Sequence, residues 1–225
     1  MKAMILAAGR GERMRPLTDT LPKPLLPVNG KPLIVYHIEK LKVAGITELV
    51  VNHAWLGLKI EETIGDGAQY GVHIAYSPEI PGGLETAGGI KHALPLLGTE
   101  PFVVVNGDVY TEYDYQKLPQ IDLGTALGFL VLVKNPAHHL GGDFSLSAQG
   151  LVTIKPEFTF SGLAVYRPEA FSSVPDERAP LRPYFEEWIN KGALKGEVMH
   201  DYWCDVGTPE RLALVSARVK AQNNS

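Results

Sequence analysis

The sequence predicts an α/β fold in which a mainly parallel sheet is flanked by helices. Apolar runs and amphipathic segments alternate through the first half of the chain, as strands and helices do around a parallel sheet. The run FVVVN at residues 102–106 is apolar for four residues, which is typical of a strand covered on both faces. A chain of 225 residues with 45% hydrophobic and 20% charged residues is long enough for one sizeable core.

The elements of the first half follow from their boundaries. A short apolar run ended by Gly9 predicts a buried strand. Pro32 suits the first turn of a helix that Gly45 ends, and Thr86 is a candidate N-cap for a later helix. The predicted strands are residues 4–8, 48–52, 72–76 and 102–106, and the predicted helices are residues 33–44, 58–64 and 86–97.

The second half is richer in strands. Strand-like runs are predicted over residues 126–133, 144–146, 151–154 and 158–166, and helices over 183–191 and 209–220. The tail QNNS is expected to be loose. Because no repeat or linker separates the halves, we expect a single domain over residues 1–225, with a change of character at about residue 110.

Composition limits the partners. A formal charge of −4 provides no overall basic field for nucleic acid or an anionic membrane, so neither is expected as a partner. No apolar run approaches the roughly 20 residues that span a bilayer. The single cysteine, Cys204, has no internal disulfide partner, which fits a reducing compartment, and we expect a cytoplasmic protein. The oligomeric state stays open.

The opening segment concentrates glycine and positive charge where the first strand ends. Gly9 and Gly11 permit close approach of a ligand to the backbone, whose N–H groups suit phosphate oxygens. The cations are Arg10, Arg13, Arg15 and Lys23, opposed only by Glu12 and Asp19. Spacing alone leaves two interpretations, a polyanion site and a solvated basic loop. The patterns GxGxxG and GxxxxGK[ST] are both absent, so neither a dinucleotide fingerprint nor a P-loop is supported.

The segment GRGERMRPLTDTLPKPLLPVNGKPLI, residues 9–34, resembles the signature of the sugar-1-phosphate nucleotidyltransferases, the NTP-transferase family. The resemblance continues through GGLETAGGI, VVNGDVY, FSGLAVY and WCDVGTPERL and so covers most of the chain. It implies the Rossmann-like nucleotide-diphospho-sugar transferase fold, with a nucleotide-binding part over about 1–110 and a sugar-binding part with closing helices over about 111–225. It also implies an enzyme that joins an NTP to a sugar 1-phosphate with Mg²⁺ and releases pyrophosphate.

The resemblance implies roles for individual residues. Arg13 and Lys23 match the catalytic cations that contact the triphosphate, and Asp108 and Asp205 match the Mg²⁺ ligands. Taken alone, each aspartate is more often a turn residue, so their meeting is a prediction about the fold. The implied nucleotide-binding residues are Ala7, Ala8, Gly9, Gly11, Arg13, Lys23, Glu85, Thr86, Ala87, Gly88 and Asn106.

Two further residues end a predicted strand beside these. Asn52 and His53 could approach the nucleotide, although a single histidine of this kind is more often structural.

The sugar side carries departures from the family pattern. The implied sugar-binding residues are Gly142, Asp143, Lys155, Ser161 and Gly162. Ile154 stands where many relatives have a glutamate for sugar hydroxyls, which either disfavours the common hexoses or moves that role to another residue. The segment NPAHHLGGDFSL resembles the corresponding segment of the N-acetylmuramate 1-phosphate uridylyltransferases within the family, which implies UTP as donor. The lactyl carboxylate of that sugar would need a cation, for which Arg182 and Lys155 are candidates.

Several alternatives stay open. The same chemistry could use mannose 1-phosphate with GTP, or glucose 1-phosphate with dTTP or UTP. A non-catalytic nucleotide-binding subunit is disfavoured because the catalytic and metal positions are intact. An enzyme acting on phosphocholine would want aromatic residues around the ammonium group, and the three tryptophans are scattered. A metal site at His138, His139 and Asp143 is disfavoured by its ligand spacing.

Overall fold

The computed structural model describes residues 1–224. Within them the strands are β1 (Ala3–Leu6), β2 (Pro27–Val28), β3 (Lys31–Pro32), β4 (Glu48–His53), β5 (His73–Pro78), β6 (Phe102–Asn106), β7 (Val109–Thr111), β8 (Gly128–Lys134), β9 (Phe144–Leu146), β10 (Val152–Tyr166), β11 (Leu194–Val198) and β12 (Trp203–Asp205). The helices are α1 (Leu17–Thr20), α2 (Leu33–Val43), α3 (Gly57–Ile64), α4 (Glu85–Leu97), α5 (Arg182–Asn190) and α6 (Pro209–Asn223). None of these helices is long and apolar enough to cross a bilayer.

Eight strands form the central sheet, in the order β11-β8-β10-β6-β1-β4-β5, with β9 paired to β10. As predicted, β1, β4, β5 and β6 are mutually parallel. Strand β10 runs antiparallel to both β6 and β8, and β11 is parallel to β8. The carboxyl ends of six strands therefore share one edge of the sheet, which is where α/β folds place ligands.

Strand β6 shows why the apolar run at 102–106 was informative. Val103 and Val105 pack into one buried cluster with α2 and α3, whereas Phe102 and Val104 pack into another with α4 and α5. Side chains alternate along a strand, so each face of β6 reaches a different helical layer. The predicted mainly parallel α/β fold is confirmed.

Several boundaries differ from the predictions. The predicted strands at 151–154 and 158–166 form one strand, β10, whose pairing shifts register before Phe158 and again before Leu163. Helix α4 begins at Glu85, so Thr86 is its second residue and not its N-cap. Strand β1 ends at Leu6, two residues earlier than expected.

Some elements were not predicted. Strands β7, β11 and β12 were missed because their short, mixed sequences gain their conformation from pairing partners distant in the chain. Helix α6 continues through Asn223, and Gln222 donates a hydrogen bond to Glu112 at 2.7 Å, so the tail is ordered as far as the structure describes it. Ser225 lies outside the described residues.

Candidate active site

A cavity of about 1080 Å³ opens at the carboxyl edge of the sheet. Of the predicted nucleotide-binding and metal residues, those that line it are Ala7, Ala8, Gly9, Gly11, Arg13, Lys23, Glu85, Thr86, Asn106 and Asp108. The predicted metal ligand Asp205 does not line the cavity, although Gly207, two residues later, does. Ala87 and Gly88 do not line it either. Both are buried in α4, and their N–H groups donate to the carbonyl oxygen of Ala179 at 3.0 and 3.1 Å, so these donors are already used.

The opening loop folds back on itself and ends at Lys23, which contacts Asp108 in the cavity wall. Gly11 has a φ of 68°, and its carbonyl accepts a hydrogen bond of 2.7 Å from the Thr18 hydroxyl. The Lys23 ammonium lies 2.6 Å from a carboxylate oxygen of Asp108. Since only 10% of the Lys23 side chain is exposed while 41% of Asp108 is, the lysine is fixed and the carboxylate faces the cavity.

The three arginines of the opening loop have different environments. Arg10 stacks 3.5 Å above the Trp55 ring and donates to the Thr18 carbonyl, and Arg15 pairs with Asp19 at 3.0 Å. Arg13 has neither an ion pair nor a hydrogen bond to the described part of the chain. Arg13 is therefore the arginine that is available to an anionic ligand.

A buried network joins the strand ends to α4. The Ala7 N–H donates to Asn52 Oδ1 at 2.8 Å, and Asn52 Nδ2 donates to Glu79 at 2.6 Å. The other Glu79 oxygen accepts from the Leu84 N–H at 2.6 Å. A Cβ at Gly89 would lie 2.4 Å from Glu79, so glycine makes room for this network. The cavity wall is thus preorganised by groups that the opening motif does not contain.

His53 is buried and is engaged by neighbouring side chains. Its Nε2 lies 2.6 Å from Glu61, and Gly57 packs directly against its ring. Sequence reasoning missed Arg178, which lines the cavity and pairs with Glu85 at 2.6 Å. A single arginine in the polar segment after residue 172 carries no sequence signal. Glu85 has a φ of 62°, a left-handed conformation at the start of α4.

The segments that carry the two predicted metal ligands are neighbours. Strands β7 and β12 pair so that Asp205 stands opposite Val109, and the Val206 N–H donates to the Asp108 carbonyl at 2.7 Å. One carboxylate oxygen of Asp205, Oδ2, accepts from Arg211 at 3.0 Å. The other oxygen, Oδ1, is buried and lies 2.7 Å from His138 Nε2, but it accepts no hydrogen bond of good geometry from residues 1–224.

The Asp205 surroundings fit a hard cation. The Asp205 carboxylate lies between Arg211 and His138, and its two oxygens have about four lone-pair sites, so acceptor capacity remains for a cation. No cluster of three or more His, Cys, Asp or Glu side chains is arranged for a metal in the described residues. Mg²⁺ does not require one, because it commonly takes one or two carboxylates together with waters and substrate phosphates. Burial raises the pKa of the adjacent Cys204 thiol to about 11, so this thiol is neutral at pH 7.

The predicted sugar-binding residues do not line the cavity. Gly162 comes nearest, because a Cβ there would lie 2.8 Å from the Asn106 side chain, and Asn106 is in the wall. The Ser161 hydroxyl is buried and donates to the Val131 carbonyl at 2.6 Å. Lys155 is 73% exposed and pairs with Glu157.

The other two sugar-side candidates belong to one loop. Gly142 has a φ of 63°, and the Asp143 carboxylate accepts from the Phe160 N–H at 2.9 Å. Arg182 stacks over Phe144 and pairs with Glu186 at 3.0 Å.

Comparison with known proteins assigns the family. The Nucleotidyl transferase family matches residues 2–130. The chain is 53% identical to the N-acetylmuramate alpha-1-phosphate uridylyltransferase of Neisseria meningitidis serogroup B, over 94% of this chain and 95% of the relative. It is 32% identical to the enzyme of the same name from Caulobacter vibrioides, over 96% of each chain.

Solved structures agree on the fold. A Bacillus anthracis chain, provisionally assigned as a glucose-1-phosphate thymidylyltransferase and crystallised with sucrose, superposes with a TM-score of 0.85 at 21% identity, over 98% of this chain and 95% of that one. HddC from Yersinia pseudotuberculosis gives a TM-score of 0.79, also at 21% identity, over 97% of this chain and 99% of that one. The family match and the two curated relatives lead to one conclusion: the chain belongs to the nucleotidyl transferase family.

Proposed function

We propose that this protein transfers a uridylyl group from UTP to N-acetylmuramate 1-phosphate and releases pyrophosphate. One observation carries the choice of substrates: 53% identity to a uridylyltransferase for this sugar extends over both halves of the chain. We place the reaction in the cytoplasm, in the recycling of a cell-wall sugar. Residues of about 1–110 would hold the nucleotide, and about 111–225 would receive the sugar phosphate.

The chemistry requires charge neutralisation more than covalent participation by the protein. A phosphate oxygen of the sugar 1-phosphate bonds to the α-phosphorus of UTP, while the bond from that phosphorus to the oxygen bridging to the β-phosphate breaks. Pyrophosphate leaves with the electron pair. Because both substrates are anions, holding them together and neutralising their charge supplies most of the catalysis.

The cavity contains cations suited to this task. Arg13 has no ion pair or hydrogen bond among residues 1–224 and would contact the triphosphate, stabilising the charge on the leaving pyrophosphate. Lys23 would contact the phosphates from its fixed position beside Asp108. Asp108 and Asp205 would hold Mg²⁺, which when bound neutralises phosphate oxygens and orients them. The network from Asn52 to Glu79 keeps the wall in place before substrate arrives.

A direct test is pyrophosphate release measured over a panel of donors and acceptors with Mg²⁺. The donors are UTP, dTTP, GTP and CTP, and the acceptors are the 1-phosphates of N-acetylmuramate, glucose, mannose and N-acetylglucosamine, with phosphocholine added. We expect the highest kcat/KM for UTP with N-acetylmuramate 1-phosphate. Turnover restricted to GTP with mannose 1-phosphate would defeat the assignment, and nucleotide binding without turnover in any pair would indicate a non-catalytic subunit.

A further inference from the structure

One histidine of the second half reaches the carboxylate assigned to the metal. His138 lies in the segment 135–143 between β8 and β9, which we call the His138 loop. Its Nε2 atom lies 2.7 Å from Oδ1 of Asp205. The contact links a loop beyond the carboxyl end of β8 to the end of β12, two residues before Gly207, which lines the cavity.

The His138 loop is anchored at both ends. At its start, Asn135 accepts a hydrogen bond of 2.9 Å from Thr159 and donates one of 3.2 Å to the Leu140 carbonyl. At its end, Asp143 donates its N–H to the Phe158 carbonyl at 2.7 Å and accepts the Phe160 N–H through its carboxylate. These bonds tie both ends of the loop to β10, on either side of His138.

Asp205 needs a second partner. Arg211 donates to Oδ2 at 3.0 Å and fixes one side of the carboxylate. The His138 nitrogen is at hydrogen-bonding distance from Oδ1. The pair does not have hydrogen-bond geometry, so Oδ1 has no hydrogen-bond donor among residues 1–224. The His138 nitrogen therefore lies at the carboxylate oxygen to which Arg211 does not donate.

We infer that His138 is a positioning residue for the cation site, acting as the outer partner that fixes the Asp205 carboxylate opposite Arg211. Ligating carboxylates are commonly held by hydrogen bonds from a second layer of residues, and removal of such a partner typically weakens metal affinity about 10- to 100-fold. The role of His138 rests on the proposed function, in which Asp205 holds the cation.

The adjacent histidine provides a matched control. His139 lies in the same loop with similar exposure, 43% against 38%, but its Nε2 lies 3.2 Å from Asp143 and not near Asp205. Replacing either ring by alanine removes the same side chain from the same loop. Only His138→Ala should therefore change cation binding.

The experiment measures Mn²⁺ binding directly, by the loss of the free Mn²⁺ signal in electron paramagnetic resonance, with the full chain and saturating UTP. UTP without protein gives the baseline. We expect His138→Ala to raise the Kd of Mn²⁺ about 10-fold, His138→Gln to restore it through its amide N–H, and His139→Ala to leave it unchanged. Thermal unfolding of each variant checks that the chain is folded.

The outcomes distinguish a failure of the metal assignment at Asp205 from a failure of the role of His138. If Asp205→Asn leaves Mn²⁺ affinity unchanged, the metal assignment in the proposed function is wrong. If Asp205→Asn weakens binding while His138→Ala does not, the metal assignment stands and the role of His138 is wrong. An increased KM for the sugar 1-phosphate in His138→Ala, at unchanged Mn²⁺ affinity, would likewise overturn the positioning role and make His138 a substrate contact.

Discussion

The opening loop of the first half and the His138 loop of the second half differ in how they use their polar groups. In the opening loop, Arg13 has no partner within the described part of the chain, and Lys23 is held beside a carboxylate that faces the cavity. In the His138 loop, Asn135 and Asp143 use their side chains to hold the loop against β10. Both loops contain glycine and charged residues, yet only the first presents them to the large cavity.

The difference between the loops shows that a long sequence motif identifies cavity residues better than residue type alone. Asp143 and Lys155 are plausible ligands for a sugar by type, but neither lines the large cavity. The opening segment matches a long family pattern, and its residues line one wall. A charged residue is therefore a stronger functional candidate when a long motif, and not composition alone, selects it.

The largest expected effect is on catalysis. Lys23→Ala and Asp108→Ala should each lower kcat/KM by at least about 100-fold, the scale for losing one preorganised electrostatic contact. Lys31→Ala is the control, because Lys31 pairs with Glu39 at the same 2.6 Å but both side chains are at least 40% exposed. The measurement is steady-state pyrophosphate release. Near-normal rates in Lys23→Ala and Asp108→Ala would mean that the opening loop is not the reaction site. The functional contrast between the opening loop and the His138 loop would then be wrong.

The second prediction concerns the core under the first half. His37 is buried against Tyr115, with Nδ1 2.8 Å from its hydroxyl, and burial lowers the pKa of His37 to about 4. Between pH 6.5 and 4, His37 binds a proton in the unfolded chain but not in the folded chain. The free energy of unfolding therefore falls as pH falls. We expect a loss of about 2 kcal/mol between pH 7 and 5, measured by urea unfolding.

Two variants isolate this contribution. His37→Gln should remove most of the pH dependence in this window, because the titrating ring is gone. His73→Gln should retain it, because His73 is an exposed residue of β5 whose side chain is 66% accessible. An unchanged slope in His37→Gln would show that other groups cause the acid sensitivity.

The smallest expected effect compares glycines in the two halves. A Cβ at Gly88 would lie 2.4 Å from the Glu177 carbonyl, whereas one at Gly141 in the His138 loop would meet nothing within 4 Å. Gly88→Ala should therefore cost about 1 kcal/mol net, since overpacking outweighs the gain in helix propensity. Gly141→Ala should stay within about 0.5 kcal/mol. Thermal unfolding measures both, and equal stabilities would contradict a packing role for the glycine-rich segment.

Much of the fold was predictable because it follows from local patterns. The strands and helices of the first half were predicted within a few residues, since apolar periodicity and glycine or proline boundaries act over short distances. Strand β11 was missed because its sequence, LKGEV, has no such periodicity and its conformation comes from pairing with β8. The opening motif predicted cavity residues because a long pattern restricts many positions at once.

The sequence by itself determined the α/β alternation, the cationic opening loop and the family to which its residues point. Only the tertiary structure decided that the segments of Asp108 and Asp205 are paired strands, that Arg178 enters the cavity, and that His138 rather than His139 meets Asp205. These are contacts between residues far apart in the chain. They depend on strand register and loop anchoring, which no local pattern of residue types encodes.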